Sequence, residues 1–171
     1  KETHRRPRLD GSRRSSLRRK YLRNLQMTEW FPDETASLRL PEMFGPNALH
    51  DRVAVPSCPD NWRRWFELFV CPPECDGFPF LHRDTCHVHA ASMQIRGRKR
   101  FTLFHPDDAP FLYPMGATGC RSAVPADSFG GGAAAAGITS ETLEKYPALA
   151  HARRVTVDVR PGEILVVPAD W

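Results

Sequence analysis

His82-Arg83-Asp84 is the stretch of this sequence most plainly able to do chemistry. It ends an extended-looking segment, residues 78–84, and residues i and i+2 of a strand project to the same face. The imidazole and the carboxylate would then point to one side, within reach of a single metal ion. Nitrogen and oxygen donors of this kind suit a divalent transition metal, and two of them leave positions open for a further ligand and for reactants. Taken alone, H-x-D says little, because so short a pattern recurs by chance.

The elements that must position these residues read as short strands. Residues 65–70 are an aromatic and β-branched run stopped by Cys71-Pro72-Pro73. Residues 88–95 form a further extended segment before a turn at Gly97. Residues 99–104 alternate polar and apolar side chains and halt at His105-Pro106. Residues 154–159 and 163–167 are two more strands joined by a Pro161-Gly162 turn, the second ending at Pro168. Residues 139–146 read as a short helix that stops before Pro147. Sixteen prolines and eleven glycines interrupt the chain too often for a long-helix bundle. No apolar run approaches the ~20 residues of a membrane-spanning helix. The pattern predicts an all-β sandwich or barrel with peripheral helices. Residues 26–60, punctuated by five prolines, read as an irregular lead-in. Residues 115–140 read as a low-complexity insertion with little to pack, centred on the Gly- and Ala-rich run 130–137.

Further motifs follow H-x-D in a fixed order. Gln94-Ile95-Arg96-Gly97-Arg98-Lys99-Arg100-Phe101-Thr102-Leu103-Phe104 precedes Pro106 and Leu112-Tyr113-Pro114. The chain closes on Pro161-Gly162-Glu163-Ile164-Leu165-Val166-Val167-Pro168-Ala169-Asp170-Trp171. Over residues 62–171 this series resembles the JmjC and cupin-like Fe(II)/2-oxoglutarate dioxygenases. The resemblance implies a double-stranded β-helix, a jelly-roll whose wide end holds the metal, with N-terminal helices at its periphery. It implies Fe(II) as cofactor, 2-oxoglutarate as co-substrate, and His82 and Asp84 as iron ligands. Two histidines and one carboxylate are the facial set of non-haem Fe(II) oxygenases. Lys99 would pair with the distal carboxylate of 2-oxoglutarate, where an ammonium on an apolar strand makes physical sense.

The chain departs from the family pattern in three places. The distal histidine is expected two residues beyond Trp171, so the barrel is expected to be incomplete at its C-terminal end and the chain as it stands inactive. The segment between Asp84 and Gln94 is about two residues longer than in the better-known hydroxylases. His87, His89 or Ala90 then falls where an Asn or Thr often lies near the co-substrate, and either histidine serves as a hydrogen-bond partner or as barrel wall. Pro79 stands where relatives often place a hydroxyl, which leaves Thr102 or an upstream tyrosine to supply that contact to 2-oxoglutarate.

Charge divides the chain into a basic arm with the start of a helix, residues 1–24, and a cupin-like domain, residues 25–171. Ten lysines and arginines face only Glu2 and Asp10 in the arm, whereas the remainder is acidic by four charges. Such an arm serves nucleic acid, an anionic surface or an import receptor, or is a solvated linker. Leu17, Tyr21, Leu22 and Leu25 fall at helical spacing and predict an amphipathic helix. Five cysteines, an odd number without C-x-x-C, read as reduced thiols of an intracellular protein, cytoplasmic or nuclear. Cys71, Cys75, Cys86 and His87 form an alternative metal cluster. Trp62, Trp65 and Phe66 read as core, Tyr113-Pro114 as a structural turn, and Asp107-Asp108 as a helix-start or turn signal. His50, His105 and His151 lack partners at ligand spacing and read as surface or satisfied histidines. The chain opens on Lys1 and closes in mid-strand, so it reads as an excerpt. The function expected is oxidation of a C–H bond in a protein, peptide or other substrate, with N-demethylation if the carbon is an N-methyl. The rival expectation is a cupin-fold binding or scaffold protein without catalysis.

Overall fold

Every strand pair among the described residues is antiparallel. The computed structural model describes residues 21–39, 42–44, 65–72, 75, 77–85, 87–129 and 137–171. The chain divides into two units, Lys1–Cys75 and Asp76–Trp171.

In the first unit, β1 (Leu22–Gln26) pairs with β2 (Glu67–Val70), with Leu25 opposite Leu68 and Gln26 opposite Glu67. This corrects the helix expected from the spacing of Tyr21, Leu22 and Leu25; Leu17 lies outside the described residues. The physical reason sits at Asn24. Its φ of 56° is left-handed, and its side-chain amide donates to Glu67 Oε2 at 2.7 Å. A right-handed helix cannot run through such a residue. Pairing also brings Tyr21 beside Phe69, with ring centroids 6.3 Å apart. Two short helices follow β1, α1 (Met27–Trp30) and α2 (Pro32–Ser37). Pro32 starts α2 where its missing N–H has no intrahelical partner to lose.

In the second unit, β5 (Lys99–Phe104) and β8 (Arg154–Val159) pair over six rungs, from Lys99 opposite Val159 to Phe104 opposite Arg154. β4 (Ala90–Met93) pairs with β9 (Ile164–Val167) over four, from Ala90 opposite Val167 to Met93 opposite Ile164. The turn between β4 and β5 uses Gly97 at φ 75°, and the β8–β9 turn uses Gly162 at φ 86°, conformations that favour glycine. Gly162 N–H donates to the Gln94 carbonyl and Gln94 N–H to the Glu163 carbonyl, which binds β4's exit to the β8–β9 turn. None of the sheets closes on itself among the described residues.

β3 (Phe80–His82) pairs with β7 (Arg121–Pro125), and β7 with β6 (Pro114–Met115). β7 corrects the expectation of an unpacked insertion over 115–140. Its Val124 is buried, and Phe129, in the 3₁₀ segment that follows β7, enters the same core. Arg121–Pro125 has no clean alternation, so its strand character comes from the partner it meets. Residues 130–136 lie outside the described residues. Phe104, Val124, Phe129 and Leu149 form the core, with Leu81 and Leu112 packed against it. The Phe104 and Phe129 rings meet edge to face at 5.2 Å. α3 (Ser140–Lys145) closes over this cluster through Leu143. The Thr139 hydroxyl caps it by accepting from Thr142 N–H at 3.1 Å.

Leu149 is 0% exposed. Leu149→Ala removes buried methyl groups and leaves a cavity, so it should cost about 2–5 kcal/mol of unfolding free energy in urea titrations. A loss below ~1 kcal/mol would mean that the cluster is not the core.

Candidate functional site

β3 positions the candidate ligands by alternation. Leu81 packs into the core, so His82 faces away from it. The imidazole is held by aromatic neighbours on its own segment, stacked on Phe78 at 4.5 Å and edge-on to Phe80 at 5.3 Å. Its Nδ1 lies 3.4 Å from the Phe80 carbonyl oxygen. Donation from Nδ1 leaves the Nε2 lone pair outward, the usual arrangement for a metal-bound histidine. His82 Nε2 stands 3.7 Å from Asp84 Oδ1, and both side chains are partly exposed. Arg121, opposite His82 in the β3–β7 register, sets its guanidinium 4.0 Å over the Phe80 ring.

Two donors each about 2.1 Å from one ion lie about 3.0 Å apart when cis, as in a facial set, and about 4.2 Å apart when trans. The 3.7 Å separation lies between these, so both side chains would reach one ion after a side-chain shift of less than about 1 Å toward the cis arrangement. Among the described residues no group of three His, Cys, Asp or Glu side chains comes together. Cys86 of the alternative cluster lies outside the described residues.

A cleft of about 430 Å³ opens beside the pair, with mostly apolar walls that include Leu81, Leu112, Pro114 and Trp171. His82 and Thr102 line it. Asp84 lines a smaller neighbouring cleft of about 250 Å³ with Thr85, His87 and Asp170. Lys99 lines neither cleft; it is half-buried on β5 with Nζ 4.7 Å from the Phe101 ring centroid. The structure thus brings His82, Asp84 and Thr102 to one region and leaves Lys99 further along its strand.

Of the two histidines that follow Asp84, His89 Nδ1 accepts from Ala169 N–H at 3.0 Å, and His87 Nδ1 lies 2.8 Å from Asp170 Oδ2. Arg83 Nη1 donates to Asp170 Oδ1 at 3.1 Å. Hydrogen bonding from His87, together with the charges of His87 and Arg83, holds the Asp170 carboxyl below its ordinary range. From the sequence alone, Asp170 had no role beyond its place in the closing motif. Its only local signal is a short polar residue that tolerates the left-handed φ of 68°.

His105 was expected to be an ordinary satisfied histidine. It is satisfied, with Nδ1 accepting from Asp107 N–H and Arg153 Nη2, both at 3.2 Å. It also lines the large cleft, edge-on to Trp171 at 5.3 Å. Behind it, Asp108 is only 4% exposed and takes three kinds of donor from Arg153: backbone N–H at 2.7 Å, Nε at 3.0 Å and Nη2 at 3.0 Å. The expected turn role of Asp107-Asp108 holds in the 3₁₀ segment Pro106–Leu112, and Asp108 adds this ion pair. Tyr113 is structural as expected, its hydroxyl accepting from Ala148 N–H at 3.0 Å.

A model of the cupin-like domain family matches residues 8–171. The chain belongs to the cupin-like family. Similar proteins include HSPB1-associated protein 1 of Rattus norvegicus, 33% identical over 90 residues that span 50% of this chain and 17% of that protein. tRNA wybutosine-synthesizing protein 5 of Mus musculus is 37% identical over 46% of this chain and 21% of that protein. The Danio rerio protein of the same name is 36% identical over 141 residues, 82% of this chain and 33% of its own length. The cupin-like chain therefore spans a third or less of these curated relatives. Its β-rich antiparallel architecture is that expected of a cupin.

Hydrogen bonds from Arg153 hold the Asp108 carboxyl below its ordinary value. A depressed folded-state pKa gives stability that is full above the unfolded value of about 4 and is lost as pH falls through the folded value. Asp108→Asn should therefore lower the urea midpoint at pH 7, with the gap to wild type narrowing below about pH 4. A gap that stays constant with pH would show that the Asp108 charge contributes nothing.

Proposed function

We propose that this cupin-like chain is the oxygenase domain of an Fe(II)/2-oxoglutarate-dependent enzyme that hydroxylates a C–H bond of a protein, peptide or other substrate. The observation that carries this reading is the approach of His82 Nε2 to Asp84 Oδ1 at 3.7 Å beside a cleft with apolar walls. The finer fold we assign is the double-stranded β-helix, to which the β4–β9 and β5–β8 pairs contribute. Iron held by His82 and Asp84 would supply the oxidation, one atom of dioxygen entering the C–H bond and the other entering succinate as 2-oxoglutarate loses carbon dioxide. If the carbon is an N-methyl, loss of the hydroxylated carbon as formaldehyde gives net demethylation.

The remaining tasks fall to the chain's own groups. Phe78 and the Phe80 carbonyl fix the His82 ring so that one nitrogen faces the metal position. The Lys99 ammonium is the cation assigned to the distal carboxylate of 2-oxoglutarate, with the Thr102 hydroxyl as a further polar contact. Apolar cleft walls exclude water from the reacting groups. Names among the relatives refer one to a protein associate and the other to tRNA; we favour a protein or peptide substrate and assign the basic residues 1–24 any contact with nucleic acid. The second reading is a cupin-fold binding domain without catalysis.

Succinate formation by the full-length protein separates the two readings. His82→Ala and Asp84→Ala should each abolish it. Lys99→Ala should raise the KM for 2-oxoglutarate roughly 10- to 100-fold, the worth of a charge-assisted hydrogen bond, with a smaller change in kcat. An unchanged KM refutes the Lys99 role. Turnover that survives both ligand substitutions refutes the oxygenase site.

A further inference from the structure

We propose that Asp170 is a positioning residue for the His82–Asp84 pair, acting through Arg83 and His87. This inference rests on the reading of that pair as metal ligands. Asp84 lies past the end of β3, where strand pairing no longer supports it. β3 is itself short, and its register with β7 is irregular between Phe80 and His82. The backbone tie nearest to Asp84 is Arg83 N–H donating to the Cys120 carbonyl at 3.0 Å. Something besides the strand must fix the direction of the carboxylate.

The exit of β9 supplies it. Backbone pairing of β4 with β9 ends at Ala90 opposite Val167, and side-chain contacts then continue the seam. Ala169 N–H meets His89 Nδ1 at 3.0 Å, Asp170 Oδ2 meets His87 Nδ1 at 2.8 Å, and Asp170 Oδ1 meets Arg83 Nη1 at 3.1 Å. The contacts step backward along the chain from β4 until they reach the residue between the two candidate ligands. One carboxylate therefore ties both ends of segment 83–87 to the exit of the longer β4–β9 pair. The Asp170 side chain is 29% exposed and that of Arg83 38%, while that of His87 is 77% exposed, so the Arg83 arm is the partly shielded one. Asp170 also holds a φ of 68°, where glycine would be the easier residue.

The test is Co(II) binding by the full-length protein, read as affinity and as the visible d–d spectrum, together with thermal melting. Wild type should bind saturably and His82→Ala should not. Asp170→Gly keeps the left-handed backbone and removes the carboxylate; it should weaken Co(II) binding roughly 10- to 100-fold, the usual effect of losing support behind a ligand, and change the spectrum. Asp170→Asn, which retains one acceptor oxygen, should recover part of both. Arg83→Gln and His87→Gln remove the two arms singly and should each give a smaller change, which keeps the proposal testable if Asp170→Gly does not fold. Binding and spectrum like wild type in Asp170→Gly, or in both single-arm variants, would overturn the positioning role while leaving the ligand pair standing. A melting temperature that falls with no change in affinity or spectrum would reduce Asp170 to a stabilising contact and also overturn it. If wild type does not bind Co(II), or His82→Ala binds as well as wild type, the ligand reading fails and the positioning role fails with it.

Discussion

Leu81 cannot enter the apolar cluster around Leu149 without turning His82 the opposite way, because successive side chains of a strand alternate faces. A slip of one residue would bury the imidazole and expose the leucine. β3 is three residues long and its pairing with β7 is irregular, so hydrogen bonding alone specifies its register weakly. The register is set by packing: Leu81 into the core on one side, Phe78 and Phe80 around the His82 ring on the other. The site's geometry thus depends on apolar contacts that do no chemistry.

Ion pairs play a second, more local part. Arg100 to Asp158 spans β5 and β8, Arg153 to Asp108 ties the start of β8 to the segment after β5, and Arg83 to Asp170 joins the β3 exit to the β9 exit. Arg100–Asp158 and Arg83–Asp170 are partly open to water, where an ion pair adds little to stability. The value of all three pairs is geometric, since each joins segments that are distant in sequence and, for Asp108 and Asp170, lie where strand pairing stops. Asp108 differs from the other two in being buried, and its acceptor oxygens are satisfied by one arginine.

What was legible in the sequence was what local chemistry determines. β5 and β8 appear residue for residue as their alternation predicts, and β9 is displaced by one residue at its start. The turns fall at Gly97 and Gly162, and the helix Ser140–Lys145 begins after its Thr139 cap. H-x-D was legible as neighbouring donors, although β3 ends at His82 and Asp84 lies beyond it. Features set by partners distant in the chain were not. β1 looked helical because the spacing of Leu22 and Leu25 suits either a helix or a bulged strand, and the deciding contact, Asn24 with Glu67, spans 43 residues. β7 was hidden because its burial alternates while its residue types do not: Ser122 and Val124 turn inward, and Arg121, Ala123 and Pro125 are exposed. Asp170 and His105 were invisible as site residues for the same reason, since their partners lie 83 and 48 residues away.

The contacts of His105 also decide which part of one cleft-wall residue is left for a guest. Arg153 Nη2, the Asp107 N–H and the Asp107 carboxylate all gather at Nδ1, at 3.2, 3.2 and 3.3 Å. That nitrogen is taken up by the protein's own groups, and the ring meets Trp171 edge to face. A bound molecule that engages His105 must do so through what remains of the imidazole.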